Sequence, residues 1–456
     1  MSAHATAFQD SQHLPSRGDA SQSVYTKISW RIVPLLLIAY MVAYLDRINI
    51  GYAQLQMKET LPFGDAVYGL GAGIFFLGYF LFEVPSNLLL ERIGARKTLL
   101  RIMVLWGITA AAMMFVKTPT QFYIARFLLG VFEAGFFPGI ILYFTYWYPS
   151  VRRGQIIAIF MSATTIVSVI AGPLCGSILK YMNGAGGLAG WQWLFVVQGL
   201  PAAILGVLIY FLLQDKPADA NWLTSTEKNV VRYNLETDVK DIESESEGTR
   251  WQVFRDPKVY LLSLVYFLLL GATYTMVFWL PTLIQSWGVK DLFLIGIYAA
   301  IPNAFGVIGM ILIGRSSDKR HERRWHFAGC VGIAALGLGI TTLLTGHLVA
   351  SIAALSFAVI GIAAATPLFF TLVTEYLSAA AAAAGIALIS SLGNLGPVIS
   401  PSINGWIVQR TGSTTYALYL VMVLYVLSGL LVLITVHAAR SRAANRDLNT
   451  SRSVSA

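Results

Sequence analysis

The sequence predicts an all-α membrane protein of twelve transmembrane helices, arranged as two pseudo-symmetric six-helix bundles. Three observations carry this. Of the 456 residues, 56% are hydrophobic and 12% charged, and the apolar residues run in blocks long enough to cross hydrocarbon instead of alternating as in a soluble core. Basic residues gather in every second connection between blocks. The connection "NLLLERIGARK" (87–97) is echoed by "GRSSDKRHERR" (314–324), each with an acid, Glu91 or Asp318, four residues after a small or polar residue and a basic cluster behind it.

Taken in order, residues 1–28 form a polar leader without the short apolar core of a cleavable signal, expected to be cytoplasmic and disordered. The first bundle, 29–213, takes spans near 31–55, 69–90, 99–116, 121–146, 154–179 and 191–213. A central cytoplasmic loop, 214–257, follows. Its "TSTE" (224–227) reads as a capping box opening a short amphipathic surface helix through about Leu235, ahead of the acidic run 236–247. The second bundle, 258–438, takes spans near 258–286, 292–313, 326–345, 349–376, 380–408 and 414–437. The alanines at 379–384 read as a tight helix start, and the Ser/Arg-rich tail 439–456 as disordered and cytoplasmic.

The net charge of +9 follows from the same topology. With the amino terminus in the cytoplasm, 25 of the 32 Lys and Arg fall on the cytoplasmic side and 5 outside, namely Lys58, Lys117, Lys180, Lys290 and Arg410. That is the positive-inside pattern, with both termini cytoplasmic, and it leaves no basic surface calling for nucleic acid. The glycine strings "GLGAG" (69–73) and "GAGGLAG" (184–190) lack a preceding strand and a following Gly-Lys-Ser/Thr, so neither is a phosphate loop. Cys175 and Cys330 lie within spans without metal-ligand spacing and read as packing residues. No metal, no cofactor and no enzyme chemistry is implied.

Arg47 and Arg126 are left inside spans, with Asp46, Glu83 and Glu133, while Glu375 lies near the cytoplasmic end of span 10. A central Asp, Lys or Arg costs about 2.5–3.5 kcal/mol on insertion scales, so such residues face wet cavities and pair. At 1.5 Å per residue, Asp46 lies ~13 Å from the outer surface, Arg126 ~8 Å, Glu133 ~18 Å and Tyr79 ~15 Å. Two cations and two anions therefore share a layer. Asp46 and Arg47 point about 100° apart, Arg126 and Glu133 share a face, and Tyr44 shares one with Arg47. Glu83 and Glu375 read as structural ion-pair members. The six His lie in tails, loops or span ends, leaving the carboxyls as proton carriers. A carboxyl that takes up a proton frees an arginine for a substrate carboxylate, so proton and anion binding favour each other. In the second half Tyr274, Asn303, Ser390 and Asn394 are mid-span polar residues, with Asn394 in the glycine-rich "SSLGNLGP" (390–397), where a bent helix would expose backbone groups.

"YLDRINIGYA" in span 1, "GLGAGIFFLGYFLFEVPSNLLLERIGARK" in spans 2 and 3, "RFLLGVFEAGFFPG" in span 4 and "GIALISSLGNLGP" in span 11 resemble the anion:cation symporter family of the major facilitator superfamily. "LERIGARK" and "GRSSDKR" resemble that superfamily's loop signature, which implies gating roles for Glu91, Arg96, Asp318 and Arg320. The resemblance implies a monomer in the bacterial inner membrane that imports a small organic anion with protons by alternating access. The family's substrates include sugar acids, tartrate, phthalate and hydroxyphenylacetate-like acids. It implies that Arg47 holds the carboxylate, that Asp46 and Glu133 take protons, that Arg126 couples to them, and that Tyr44, Tyr79 and Asn394 line a pocket to which Thr164, Tyr274 and Ser390 are added. Two departures stand out. Thr164 lies where sugar-acid members carry a glutamine, and span 10 has Glu375 and no proline in "FFTLVTEYL" (369–377). Both weaken the case for a polyhydroxylated substrate and leave small dicarboxylates or aromatic acids. A proton-independent anion exchanger and an anion receptor are the competing readings.

Overall fold

The computed structural model describes residues 17–245, 252–344, 346–377 and 379–454. The helices are α1 (Arg17–Ile48), α2 (Ile50–Thr60), α3 (Asp65–Ile93), α4 (Ala95–Ala112), α5 (Pro119–Glu133), α6 (Phe136–Thr145), α7 (Ser150–Tyr181) and α8 (Gly190–Leu212) in the first half. After α9 (Ser225–Glu245) come α10 (Pro257–Ser286), α11 (Leu292–Arg320), α12 (Arg324–Leu343), α13 (Leu348–Tyr376), α14 (Ala379–Gly393), α15 (Gly396–Thr411) and α16 (Thr414–Val454). The pairs α1/α2, α5/α6 and α14/α15 each form one span, so among the described residues twelve helical segments are long and apolar enough to cross a membrane. Each span buries one stripe against its neighbours and leaves apolar residues such as Ile108, Ile124, Ile204 and Ile308 exposed, as a lipid-facing surface requires.

Three expectations about the extramembrane parts are corrected. The helix opening the chain begins at Arg17, where residues up to 28 were expected to be disordered; residues 1–16 lie outside the described residues. Residues 21–28 are ordered because α9 docks on them. Val24, Tyr25 and Ile28 are buried, Asn234 Nδ2 donates to the Tyr25 hydroxyl at 3.3 Å, and Lys27 Nζ pairs with Glu227 at 2.9 Å. The predicted capping box opens α9, Glu227 N donating to Thr224 Oγ1 at 3.2 Å and Thr224 N to Glu227 Oε2 at 2.7 Å. This helix runs past Leu235 to Glu245, held further along by Asp238, which accepts from Ser150 N at 3.1 Å. Positions 246 and 247 of the acidic run lie outside the described residues. At the other end α16 continues to Val454 through the tail expected to be disordered; no Gly or Pro follows Gly429 to stop it.

The closest approaches between the halves lie at the end of the spans away from α9. There α3 packs on α15, α7 on α11 and α2 on α10. Gly172 and Gly296 let α7 and α11 touch backbone to backbone. A Cβ on Gly172 would sit 2.3 Å from the Gly296 carbonyl oxygen, and one on Gly296 2.1 Å from that of Gly172. The Tyr68 hydroxyl and Gln54 Nε2 both donate to the Phe278 carbonyl, at 3.2 and 3.1 Å, and Ala66 N donates to Gln409 Oε1 at 2.9 Å. Lys180 forms an ion pair with Asp291, joining the last turn of α7 to the N-cap of α11. The protein is shut on this far side.

Candidate functional site

The charged layer is positioned chiefly by α5. Thr118 Oγ1 accepts from Gln121 N at 3.3 Å, Gln121 Oε1 accepts from Thr118 N at 3.3 Å, and Pro119 opens the helix, fixing where its first turn begins. From that start, the 3.6-residue repeat puts Phe122, Arg126, Leu129, Gly130 and Glu133 on the buried face. Gly130 lets α5 cross α3 closely; a Cβ there would lie 2.0 Å from the Phe75 carbonyl oxygen. The helix stops immediately after Glu133. Ala134 leaves the helical region (ψ 132°), and Gly135 is left-handed (φ +85°), which a side chain would oppose twice, by its backbone and by Ser86 at 2.5 Å.

Arg47, in the last turn of α1, reaches Glu133 across the interior. Its Nε donates to Glu133 Oε1 at 3.1 Å and its Nη2 bonds the same oxygen, while Oε2 is buried without a donor among the described residues. Nη1 donates to the Tyr274 hydroxyl at 3.2 Å, tying the layer to the second half. The guanidinium lies 5.2 Å from the Tyr79 ring centre and 5.5 Å from that of Phe75, whose ring also receives Arg126 at 4.9 Å. Asp46 points the other way. Its Oδ2 accepts from Trp106 Nε1 at 2.6 Å and its Oδ1 from Asn49 Nδ2 at 3.0 Å. Arg126 Nε donates to the Gly71 carbonyl at 3.2 Å, and its Nη2 is buried without an acceptor among the described residues.

The four charged residues thus meet in one layer but make one direct ion pair among the described residues, Arg47 with Glu133. Arg126 lies within electrostatic reach of both acids without touching either. The side chain of Arg47 keeps 14% exposure, that of Glu133 1%, and Asp46 and Arg126 are 4% and 1% exposed overall. Arg47 is therefore the charge that free space reaches first.

Around it, Tyr79 and Tyr274 are buried beside the guanidinium, while Tyr44 is half-buried against Ile48, Val167 and Ala171. Thr164 Oγ1 donates to the Met161 carbonyl of its own helix at 2.9 Å, and Asn303 does the same with Ala299. Ser390 and Asn394 are half-buried where α14 ends, the Asn394 amide donating to the Ser390 carbonyl at 3.0 Å. The helix is interrupted at the expected place, Asn394 and Leu395 forming a turn between α14 and α15, although Leu395 keeps helical angles (φ −74°, ψ −21°).

In the signature loops Glu91 and Arg320 are exposed. Arg96 Nη2 donates to the Tyr210 carbonyl at 2.7 Å, and its amide to Asp215 Oδ1 at 2.9 Å. Asp318 pairs with Arg323 at 2.7 Å, and Arg323 also holds Glu375 at 3.1 Å, so Glu375, in the last turn of α13, is a structural ion-pair member. Glu83 has no such partner among the described residues, and its Oε2 is buried there without a donor. Sequence reasoning missed Trp106, Asn49, Phe75, Asp215 and Arg323. Two of these were signalled: Asn49 follows Asp46 by three residues on one helix face, and a mid-membrane Trp needs an acceptor.

The comparisons agree with this architecture. Residues 36–391 match the family described as Major Facilitator Superfamily. A protein named "Putative tartrate transporter" from Agrobacterium vitis is 44% identical over 433 residues, covering 94% of this chain and 95% of its own. A quinolone resistance transporter from Acinetobacter baumannii is 39% identical over 431 residues, 94% of this chain and 99% of its own. Among solved structures, the xylose transporter XylE from E. coli in an inward open conformation shares the fold, with TM-score 0.69 at 13% identity over 90% of this chain and 95% of that one. With its twelve spans and a charged layer at their centre, this chain belongs to the major facilitator superfamily and is a multi-pass secondary transporter, not an enzyme.

Proposed function

We propose that this transporter imports a small organic carboxylate together with protons across the bacterial inner membrane, with both termini and α9 on the cytoplasmic side. The observation that carries the reading is the Arg47–Glu133 pair. A partly exposed arginine is held through one oxygen of a buried carboxylate whose other oxygen has no donor. An arginine cannot lose its charge, whereas a carboxyl can gain a proton. Protonation of Glu133 releases the Nε and Nη2 donors of Arg47, which suit a substrate carboxylate bidentately. Return of that proton to the cytoplasm restores the pair and displaces the anion. Tyr274 moves with the second half, so the hydroxyl that touches Nη1 reports the rocking of one half on the other to the site.

Asp46 takes the second coupling role. Its oxygens are bonded to Trp106 and Asn49, so a proton there rearranges α1 against α4, with Arg126 as the buried counter-charge. Tyr44, Tyr79, Asn394, Ser390 and Thr164 line the substrate space, and the loops of Glu91, Arg96, Asp318 and Arg320 act as cytoplasmic gates. Relatives of similar identity are named for tartrate and for quinolone resistance, so the substrate is set by the site itself. A layer with an arginine, tyrosine hydroxyls and aromatic faces suits a small dicarboxylate or an aromatic acid.

The test is uptake by proteoliposomes under an imposed pH gradient, with a substrate found by thermal-shift screening of carboxylic acids. Glu133→Gln and Asp46→Asn abolish gradient-driven accumulation while anion exchange survives, and Arg47→Ala loses both. Accumulation unchanged in all three overturns the assignment. Uptake that moves no protons identifies an exchanger.

A further inference from the structure

Glu83 is the membrane-embedded acid that the site leaves unused. It lies on α3 one turn below Tyr79, about 6 Å nearer the cytoplasmic end. Its Oε2 is buried with no hydrogen-bond donor among the described residues, and one turn further down Asn87 Oδ1 is buried in the same condition. Tyr79, Glu83 and Asn87 recur at every fourth residue and so share one face of the helix. That face begins at the site. The Tyr79 ring packs beside Arg47, and Tyr79 lies within electrostatic reach of both Glu83 and Glu133. Three unpaired acceptor oxygens, on Glu133, Glu83 and Asn87, thus lie along the route from the charged layer to the cytoplasm.

The charged groups on the elements packed against α3 leave Glu83 without an ion pair among the described residues. Arg126 on α5 donates to Gly71, and Glu133 on α5 is held by Arg47. On α4, Arg101 donates to Ser86 at 2.7 Å and Arg96 to Tyr210, while Lys97 stands in the first turn of that helix. No charged residue occurs on α6, and Arg410 of α15 is at the far end. Arg47 of α1 is within electrostatic reach but engaged with Glu133 and Tyr274. A buried carboxylate oxygen without a donor is costly, and a proton or a transient water removes the cost.

We propose that Glu83 is a third proton-carrying residue, which takes the proton of Glu133 and passes it to the cytoplasmic opening; this rests on the proton-coupled reading above. In the transfer the O–H bond of the Glu133 carboxyl breaks as one forms on a Glu83 carboxylate oxygen, relayed by intervening water. Glu133 is left ionised to re-pair with Arg47, and Glu83 then releases the same proton towards Asn87 and bulk water. One proton moves and nothing is oxidised or reduced.

The experiment compares the unaltered protein, Glu83→Gln and Glu83→Asp in proteoliposomes, varying the pH on the cytoplasmic face with the opposite face held constant. Anion exchange at equal pH and the anion's Kd are measured alongside. In the unaltered protein the gradient-driven rate depends on cytoplasmic-face pH. In Glu83→Gln that rate falls about 100-fold, the lower range for loss of a positioned proton-transfer group, and the dependence on cytoplasmic-face pH disappears, while exchange and Kd are unchanged. Glu83→Asp retains the dependence at a lower rate. Gradient-driven uptake by Glu83→Gln equal to that of the unaltered protein overturns the assignment, as does a Glu83→Asp protein without pH dependence, or loss of exchange and binding in step with uptake. If the unaltered protein itself ignores the gradient, the coupled reading of the whole site fails, a result distinct from failure of Glu83 alone.

Discussion

Replacing Arg47 by Ala removes both donors from Glu133 Oε1 and leaves a carboxylate whose side chain is 1% exposed, with its other oxygen already lacking a donor among the described residues. Breaking a buried ion pair in this way costs about 3–5 kcal/mol, because the remaining charge is stranded. The converse change is milder. Glu133→Gln keeps a carbonyl acceptor, and Arg47 retains the Tyr274 hydroxyl, the rings of Phe75 and Tyr79, and 14% exposure to water. Its cost is that of one charge-assisted hydrogen bond, about 1.5–3 kcal/mol. The double variant strands no charge and is therefore more stable than Arg47→Ala alone. Melting of the three purified variants in detergent at pH 8 gives the order unaltered protein highest, Glu133→Gln and the double variant between, Arg47→Ala lowest. Acidification narrows the deficit of Arg47→Ala, since a proton neutralises the stranded acid. A double variant that melts no higher than Arg47→Ala refutes the claim that these residues compensate one another.

Further outcomes test other parts of the structure. Gly296→Leu brings a Cβ 2.1 Å from the Gly172 carbonyl oxygen, an overpacking of about 1–3 kcal/mol that shifts the protein about 5- to 150-fold away from the far-side-closed state. Spin-label distances between the far ends of α7 and α11 lengthen accordingly, and an unchanged distance distribution contradicts the reading. Trp106→Phe removes the indole donor from Asp46 and lowers stability by about 1.5–3 kcal/mol at neutral pH. Thermal denaturation identical to that of the unaltered protein shows that the bond is not made. At the surface that carries α9, the Thr224 amide and the Lys27 ammonium hold the Glu227 carboxyl below its usual 4.5, so its contribution to docking of α9 is complete above that pH and lost as pH falls through the lowered value. Hydrogen exchange of α9 amides, corrected for intrinsic rate, accelerates as pH is lowered from 7 through that value, and Glu227→Ala shows that acceleration already at pH 7. Slow exchange in Glu227→Ala at pH 7 counts against the capping role.

The spans were legible because length and apolarity are properties of consecutive residues. Twelve segments, the capping box at Thr224 and Glu227, and the divergence of Asp46 from Arg47 all follow from local spacing. What crosses between helices was less legible. An error of one residue in a span's start moves a side chain 1.5 Å along the axis and about 100° around it, enough to exchange one partner for another. The layer of four charges was therefore recognisable, but the direct pairing of Arg47 with Glu133, and the capture of Asp46 by Trp106 sixty residues away, were not. Thr164 and Asn303 show the opposite limit, since a hydroxyl or amide group in a helix can commit a donor to the preceding turn, leaving its oxygen to accept, and spacing alone does not reveal this. The ordered helix from Arg17 was hidden for a further reason. Its polar sequence carries no span signal, and what orders it is the distant α9.

The central claim is that Arg47 exchanges a buried acid for an incoming carboxylate, so that a proton and an anion bind together. Calorimetric titration of the anion in two buffers of different ionisation enthalpy counts protons taken up per anion bound. The account predicts net proton uptake and a Kd that tightens as pH falls in the unaltered protein, with fewer protons taken up and the anion held tightly across the same pH range in Glu133→Gln. Binding without proton uptake in the unaltered protein, or an undiminished pH dependence in Glu133→Gln, contradicts it.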